Sequence, residues 1–117
     1  MGDLSENFSR WEFACNCGCG YNTVDSELLE MLEEIRHHFG KPIKINSGCR
    51  CPSYNARIGG SEFSQHTKGR AADIVIDGVS PEIVQEYIDT EIAPGGLGKY
   101  ETFTHIDSRT GYARWRG

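Results

Sequence analysis

The most strand-like run of this chain, Ala71–Ile76, carries a carboxylate and follows closely on a histidine. In Ser64-Gln65-His66-Thr67-Lys68-Gly69-Arg70-Ala71-Ala72-Asp73, His66 precedes the strand, Asp73 lies within it, and Gly69 lets the backbone bend between them. Imidazole nitrogen and carboxylate oxygen both suit Zn²⁺, and a loop running into a strand can bring the two onto one ion. Two protein ligands hold a metal weakly, so a third is expected downstream. Thr104-His105-Ile106-Asp107 offers it, on a strand able to lie beside the first. Side chains two apart on a strand share a face, which points His105 and Asp107 the same way. On residue types alone, surface polar groups remain an equal reading.

The pattern around these segments predicts an α+β fold with a small, largely antiparallel sheet and two main helices. Residues 25–39 form an amphipathic helix, capped by Asp25 or Ser26 and stopped by Gly40, with Leu28, Leu29, Leu32, Ile35 and Phe39 on one face. Residues 42–47 alternate as a strand, and a short helix is expected over 53–58. Ser80 and Pro81 open a second main helix over 81–92. Short strands are expected over 97–100, 102–107 and 112–115, with a turn between the last two. Gly95-Gly96-Leu97-Gly98 lacks the context of a phosphate loop and instead lets a strand approach the site closely.

At 117 residues the chain is one domain's worth, taken here as a single unit over 1–117 with an irregular, cysteine-containing arm over 1–24. No apolar run is long enough for a membrane helix, and the first residues lack the pattern of a secretory signal. The expectation is cytoplasmic synthesis and a monomer. A net charge of -5 with no concentrated basic face argues against nucleic acid. Five cysteines fall in two clusters, Cys15, Cys17 and Cys19, then Cys49 and Cys51. Their C-x-C spacing departs from the usual structural zinc knuckle, which counts against a second, cysteine-bound ion; disulfides and free thiols stay open. Under each reading the clusters lie together, stapling the arm to the strand end near Cys49.

Three segments in order carry a resemblance. Ser64-x-His66-x-x-Gly69-x-Ala71-x-Asp73, the late His105-x-Asp107 and the upstream Asn46-Ser47-Gly48-Cys49-Arg50 with Asn55 resemble the zinc D-Ala-D-Ala carboxypeptidase and murein endopeptidase superfamily. That superfamily shares its fold with the Hedgehog signalling domain. The cysteine-bearing arm is most similar to small phage and prophage members.

The resemblance implies His66, Asp73 and His105 as ligands of one catalytic zinc ion, with water in the fourth position. It implies Arg50 as the cation that supports an oxyanion or grips substrate carboxylate, and Ser64 as a substrate contact or a turn cap. Where many members carry a general base, this chain has Thr102 and Phe103. Asp107 is then the first choice for proton transfer or for buttressing a ligand, and Glu101 the second. The implied activity is hydrolysis of a peptide bond in peptidoglycan stem peptides or cross-links, as carboxypeptidase or endopeptidase, acting at the cell wall as a phage lysin does. The alternative is a zinc-containing binding module without hydrolysis. Trp11, Phe13, Tyr54 and Trp115 are expected in the core, and His37 and His38 at the surface.

Overall fold

The computed structural model describes residues 2–60 and 64–117. After a single 3₁₀ turn at Arg10–Phe13 the chain forms α1 (Ser26–Phe39), β1 (Ile43–Ser47), α2 (Pro52–Arg57), a second 3₁₀ turn (Gln65–Lys68) and β2 (Ala71–Ile76). It continues through α3 (Pro81–Tyr87), β3 (Gly96–Lys99), β4 (Thr104–Asp107) and β5 (Ala113–Arg116). Local chemistry sets the helix ends: Asp25 accepts from the Leu28 N–H at 3.3 Å, and Gly40 closes α1 in the left-handed conformation with its N–H on the Arg36 carbonyl. Among the described residues no helix is long and apolar enough to cross a membrane.

The sheet order is β1-β2-β4-β3-β5. Its first four strands pair antiparallel, as expected, while β5 joins β3 in parallel. Ala72, Ile74, Ile76, Leu97 and Ile106 form one core with Leu28, Leu32 and Ile35 of α1 and with Val84 and Ile88 at α3 and beyond. The helical layer therefore takes one face of the sheet and leaves the other to polar residues.

The expected helix over 81–92 is regular only to Tyr87; Ile88–Ile92 widens into a π-helical turn. Thr90 Oγ1 donates to the carbonyls of Glu86 and Tyr87, competing with the main-chain ladder there. The turn closes with the Ala93 N–H on the Ile88 carbonyl at 2.8 Å. The 3₁₀ turn that carries His66 has no apolar periodicity, and the sequence pattern does not reveal it.

The arm is anchored at several points. Phe8 and Phe13 enter the core, Glu33 accepts from Asn7, and the Cys49 N–H donates to the Phe13 carbonyl at 2.8 Å. Trp11, by contrast, is 76% exposed, so it is not a core residue. The two cysteine clusters meet, with Cys15, Cys17, Cys19 and Cys51 gathered together and Cys49 apart from them. Burial pushes the Cys49 thiol up, as suits an inert core cysteine.

Candidate metal centre

Strand register builds the floor of the site. Ser47 pairs with Asp73, Asp73 with His105, His105 with Gly98 and Gly98 with Trp115. One row of side chains thus crosses all five strands on the polar face. The next row sets Ala71, Asp107, Gly96 and Ala113 side by side. Small residues flank the large ligating ones for a steric reason. A Cβ on Gly96 would lie 2.2 Å from both Asp107 carboxylate oxygens, and one on Gly98 would lie 2.6 Å from Trp115 Nε1.

His66 reaches this row from the 3₁₀ turn. Ser64 caps that turn, its Oγ accepting from the His66 N–H at 3.2 Å, and left-handed Gly69 ends it. The His66 Nδ1–H donates to the Gly48 carbonyl at 2.7 Å, which turns Nε2 toward Asp73 at 3.4 Å. Main chain returns the bond, since the Arg50 N–H donates to the His66 carbonyl at 2.9 Å.

His105 is held from the opposite side. Its Nε2–H donates to Asp107 Oδ2 at 2.7 Å, leaving Nδ1 3.0 Å from Asp73 Oδ1. Both inner nitrogens face the same Asp73 oxygen. Ligand atoms of His66, Asp73 and His105 all lie within 4.8 Å of one another. A tetrahedral zinc with bonds of about 2.0–2.1 Å has ligand edges of about 3.3 Å. The 3.0 and 3.4 Å separations fit that figure. Three electron-rich atoms this close repel unless protons or a cation sit among them, and the outer nitrogens are already committed as donors. The chemistry of the set therefore fits a divalent ion.

Charge follows the same geometry. When protons rather than a cation lie on the inner nitrogens, burial pushes Asp73 up, but bonds from His105 and His66 and their charge outweigh it and hold the carboxyl far below its ordinary value. Burial pushes His105 down, yet Asp107 and Asp73 raise it overall. Asp107 is fully buried; against that burial, His105 and Arg109 keep it ionised well below the carboxylate range. Arg109 clamps Asp107 through Nε on Oδ1 at 2.8 Å and Nη2 on Oδ2 at 2.7 Å, with its main-chain N–H on Oδ1 at 3.1 Å. With both oxygens so engaged, Asp107 orients His105, and the geometry favours that buttressing role over proton transfer.

Over the row opens a cavity of about 420 Å³, lined by Arg50, Ser64, Gln65, His66, Asp73, His105 and Trp115, with Tyr100, Phe103 and Arg109 at its walls. Arg50 is held by Ser47 Oγ at 3.2 Å, Asn55 Oδ1 at 3.1 Å and Asp73 Oδ2 at 3.4 Å. Glu101 is exposed and lines a separate groove instead. Among the described residues lining the cavity, Asp73 is the one carboxylate.

Sequence reasoning missed several wall residues. Trp115 is a wall residue beside His105, at a ring-centroid distance of 5.0 Å, and not a core residue. Its indole N–H donates to the Tyr100 hydroxyl at 2.9 Å, and that hydroxyl's own proton has no acceptor among the described residues. Gln65 Oε1 is buried without a partner among the described residues. A position within the row across the sheet was the only signal for Trp115, and it needs the register.

The sequence pattern of the peptidase M15 family matches residues 6–107. The chain is 32% identical over 101 residues to the peptidoglycan L,D-endopeptidase MepK of Escherichia coli K12, covering 79% of this chain and 54% of that protein. It is 31% identical over 80 residues to the zinc D-Ala-D-Ala carboxypeptidase of Streptomyces albus G, covering 64% of this chain and 31% of that protein. The chain thus spans about half the length of the first relative and about a third of the second.

Proposed function

The chain belongs to the peptidase M15 family, and from that premise we propose a zinc-dependent peptidase that hydrolyses a peptide bond in peptidoglycan stem peptides or cross-links. The observation that carries this reading is the focus of His66 Nε2, Asp73 Oδ1 and His105 Nδ1 on one point at the floor of an open cavity. Three protein ligands, leaving a fourth position to solvent, are the pattern of a catalytic zinc. Similarity to a peptidoglycan L,D-endopeptidase and to a zinc D-Ala-D-Ala carboxypeptidase supports the substrate class.

Bound there, a zinc ion would lower the pKa of a water and polarise the scissile carbonyl. The chain's own residues do the rest. Gly48 and Asp107 hold the two imidazoles in the tautomers that face Asp73. Arg50, pinned on three sides, presents a fixed planar cation to a developing oxyanion or to a substrate carboxylate. The Tyr100 hydroxyl and the Trp115 ring offer a donor and an apolar wall to the peptide. On this reading the chain forms a metallopeptidase domain that acts at the cell wall.

One observation favours a second reading, a binding module that keeps its metal. Among the described residues no carboxylate other than Asp73 lines the cavity as a candidate general base. Purified muropeptides with D,D- and L,D-linked bonds, incubated with metal-loaded and chelator-treated protein, separate the two. Product formed only with metal is the expected result, and the bond released identifies the type of peptidase. Tight binding of the peptides without product under any condition selects the binding module.

A further inference from the structure

Four sulfur atoms gather where the arm meets Cys51, from buried Cys15 out to exposed Cys17 and Cys19. Cys15 and Cys17 lie 3.4 Å apart, Cys15 and Cys51 3.8 Å, and Cys17 and Cys51 3.7 Å. The Cys19 sulfur completes a set in which all lie within 4.8 Å of one another. We propose that Cys15, Cys17, Cys19 and Cys51 bind a second, structural zinc ion as a tetrathiolate.

The distances carry the argument. A tetrahedron with zinc–sulfur bonds of about 2.3 Å has sulfur–sulfur edges of about 3.8 Å. The three separations above cluster at that edge. A disulfide needs about 2.05 Å, and all five cysteines are free. No pair stands out as a bridge in the making, because each of the three sulfurs is about equally far from the others. Soft thiolates in a tetrahedral set select zinc or iron over harder ions. Sulfurs this close leave room for one ion and not for a cluster with its own sulfides.

The surrounding main chain is built for the same end. The Cys51 N–H donates to Cys15 Sγ and the Tyr54 N–H to Cys51 Sγ, each at 3.4 Å. Such N–H···S bonds orient metal-bound thiolates and offset their charge. Gly18 and Gly20 sit at φ of 84° and 90°, which turns the C-x-C-G-C run back on itself so that three sulfurs share one side. The turn closes with the Gly18 N–H on the Cys15 carbonyl at 3.1 Å and the Cys15 N–H on the Tyr21 carbonyl at 2.7 Å. The odd cysteine count resolves as four ligands and one buried thiol, Cys49.

The ion's work is positional. Cys51 directly follows Arg50, and Gly48 holds His66. A tetrathiolate centre therefore ties the arm to the loop that carries both, in addition to the core packing of Phe8 and Phe13.

The test is zinc counting with X-ray absorption at the zinc edge, on protein purified in reductant without chelator. Wild type is expected to hold a sulfur shell at about 2.3 Å together with nitrogen and oxygen at about 2.0–2.1 Å. His66→Ala is expected to keep one zinc with the sulfur shell intact, a readout that needs no folded cysteine variant. Cys17→Ser with Cys19→Ser is expected to lose the sulfur shell. Zinc bound by wild type and by His66→Ala without sulfur scattering would overturn the proposal, as would a metal-free His66→Ala. A wild type with one zinc, bound by sulfur alone, upholds this inference and removes the catalytic-metal reading.

Discussion

His105 stands between two carboxylates, 3.0 Å from Asp73 and 2.7 Å from Asp107, and Arg109 grips Asp107 from behind at 2.7 Å. The ring is thereby aimed from behind. If Asp107 acts by aiming, its loss should weaken metal binding and not the chemistry of loaded protein.

Asp107→Asn is accordingly expected to lower zinc affinity at the histidine site by about 10–100-fold. Activity on peptidoglycan peptides should return at saturating zinc. A chromophoric chelator competition gives the first quantity, and kinetics with excess metal the second. Activity that stays lost in fully loaded protein would show Asp107 moving a proton.

Gly96→Ala places a methyl 2.2 Å from both Asp107 oxygens, which Arg109 and His105 do not let move. A loss of about 1–3 kcal/mol in stability is expected. Zinc affinity should fall with it. Gly111→Ala, at a turn with φ of 100° and open space around it, should cost stability through backbone strain and leave zinc affinity unchanged. Thermal melts and zinc titrations of both variants check the pair.

Arg50→Lys keeps the charge and loses the fork that meets Ser47, Asn55 and Asp73. The expected result is a fall of about 10²–10³-fold in kcat with metal content unchanged. Steady-state kinetics of metal-loaded protein measure it.

Glu33 supplies the pH dependence of the arm. Burial pushes its carboxyl up, but Ser5 and Asn7 outweigh that and hold it below the ordinary glutamate value. A carboxylate depressed on folding stabilises above its unfolded pKa of about 4.3, and that contribution is lost as pH falls through the folded value. Main-chain amides of the arm should therefore exchange faster below about pH 4 than those of β2. Glu33→Gln should bring that loosening up to neutral pH, as hydrogen exchange will report.

Much of this was legible in the chain because local chemistry decided it. Asp25, Gly40 and the apolar stripe of α1 define a helix in any context, and Ala71–Ile76 is apolar enough to be a central strand. Ser64, His66, Gly69 and Asp73 stand close enough in sequence to suggest one loop and one ion. What was hidden depends on register and on distance along the chain. Trp115 becomes a wall only because β5 runs parallel to β3 and sets it opposite Gly98. That the two cysteine clusters meet was legible, but that Cys51 and not Cys49 joins Cys15, Cys17 and Cys19 depends on the fold. The π-helical turn at Ile88–Ile92 follows from a hydroxyl's competition for carbonyls, which apolar periodicity does not register.

The two imidazoles are secured on unequal footings. Peptide groups hold His66, through the Gly48 carbonyl and the Arg50 amide, and most exchanges of the side chains around them leave those groups in place. His105 hangs on one carboxylate, itself dependent on one guanidinium and one missing methyl. Mutational drift should therefore erode this centre from the β4 side first, with inactive descendants keeping an intact His66 turn long after Asp107, Arg109 or Gly96 has changed.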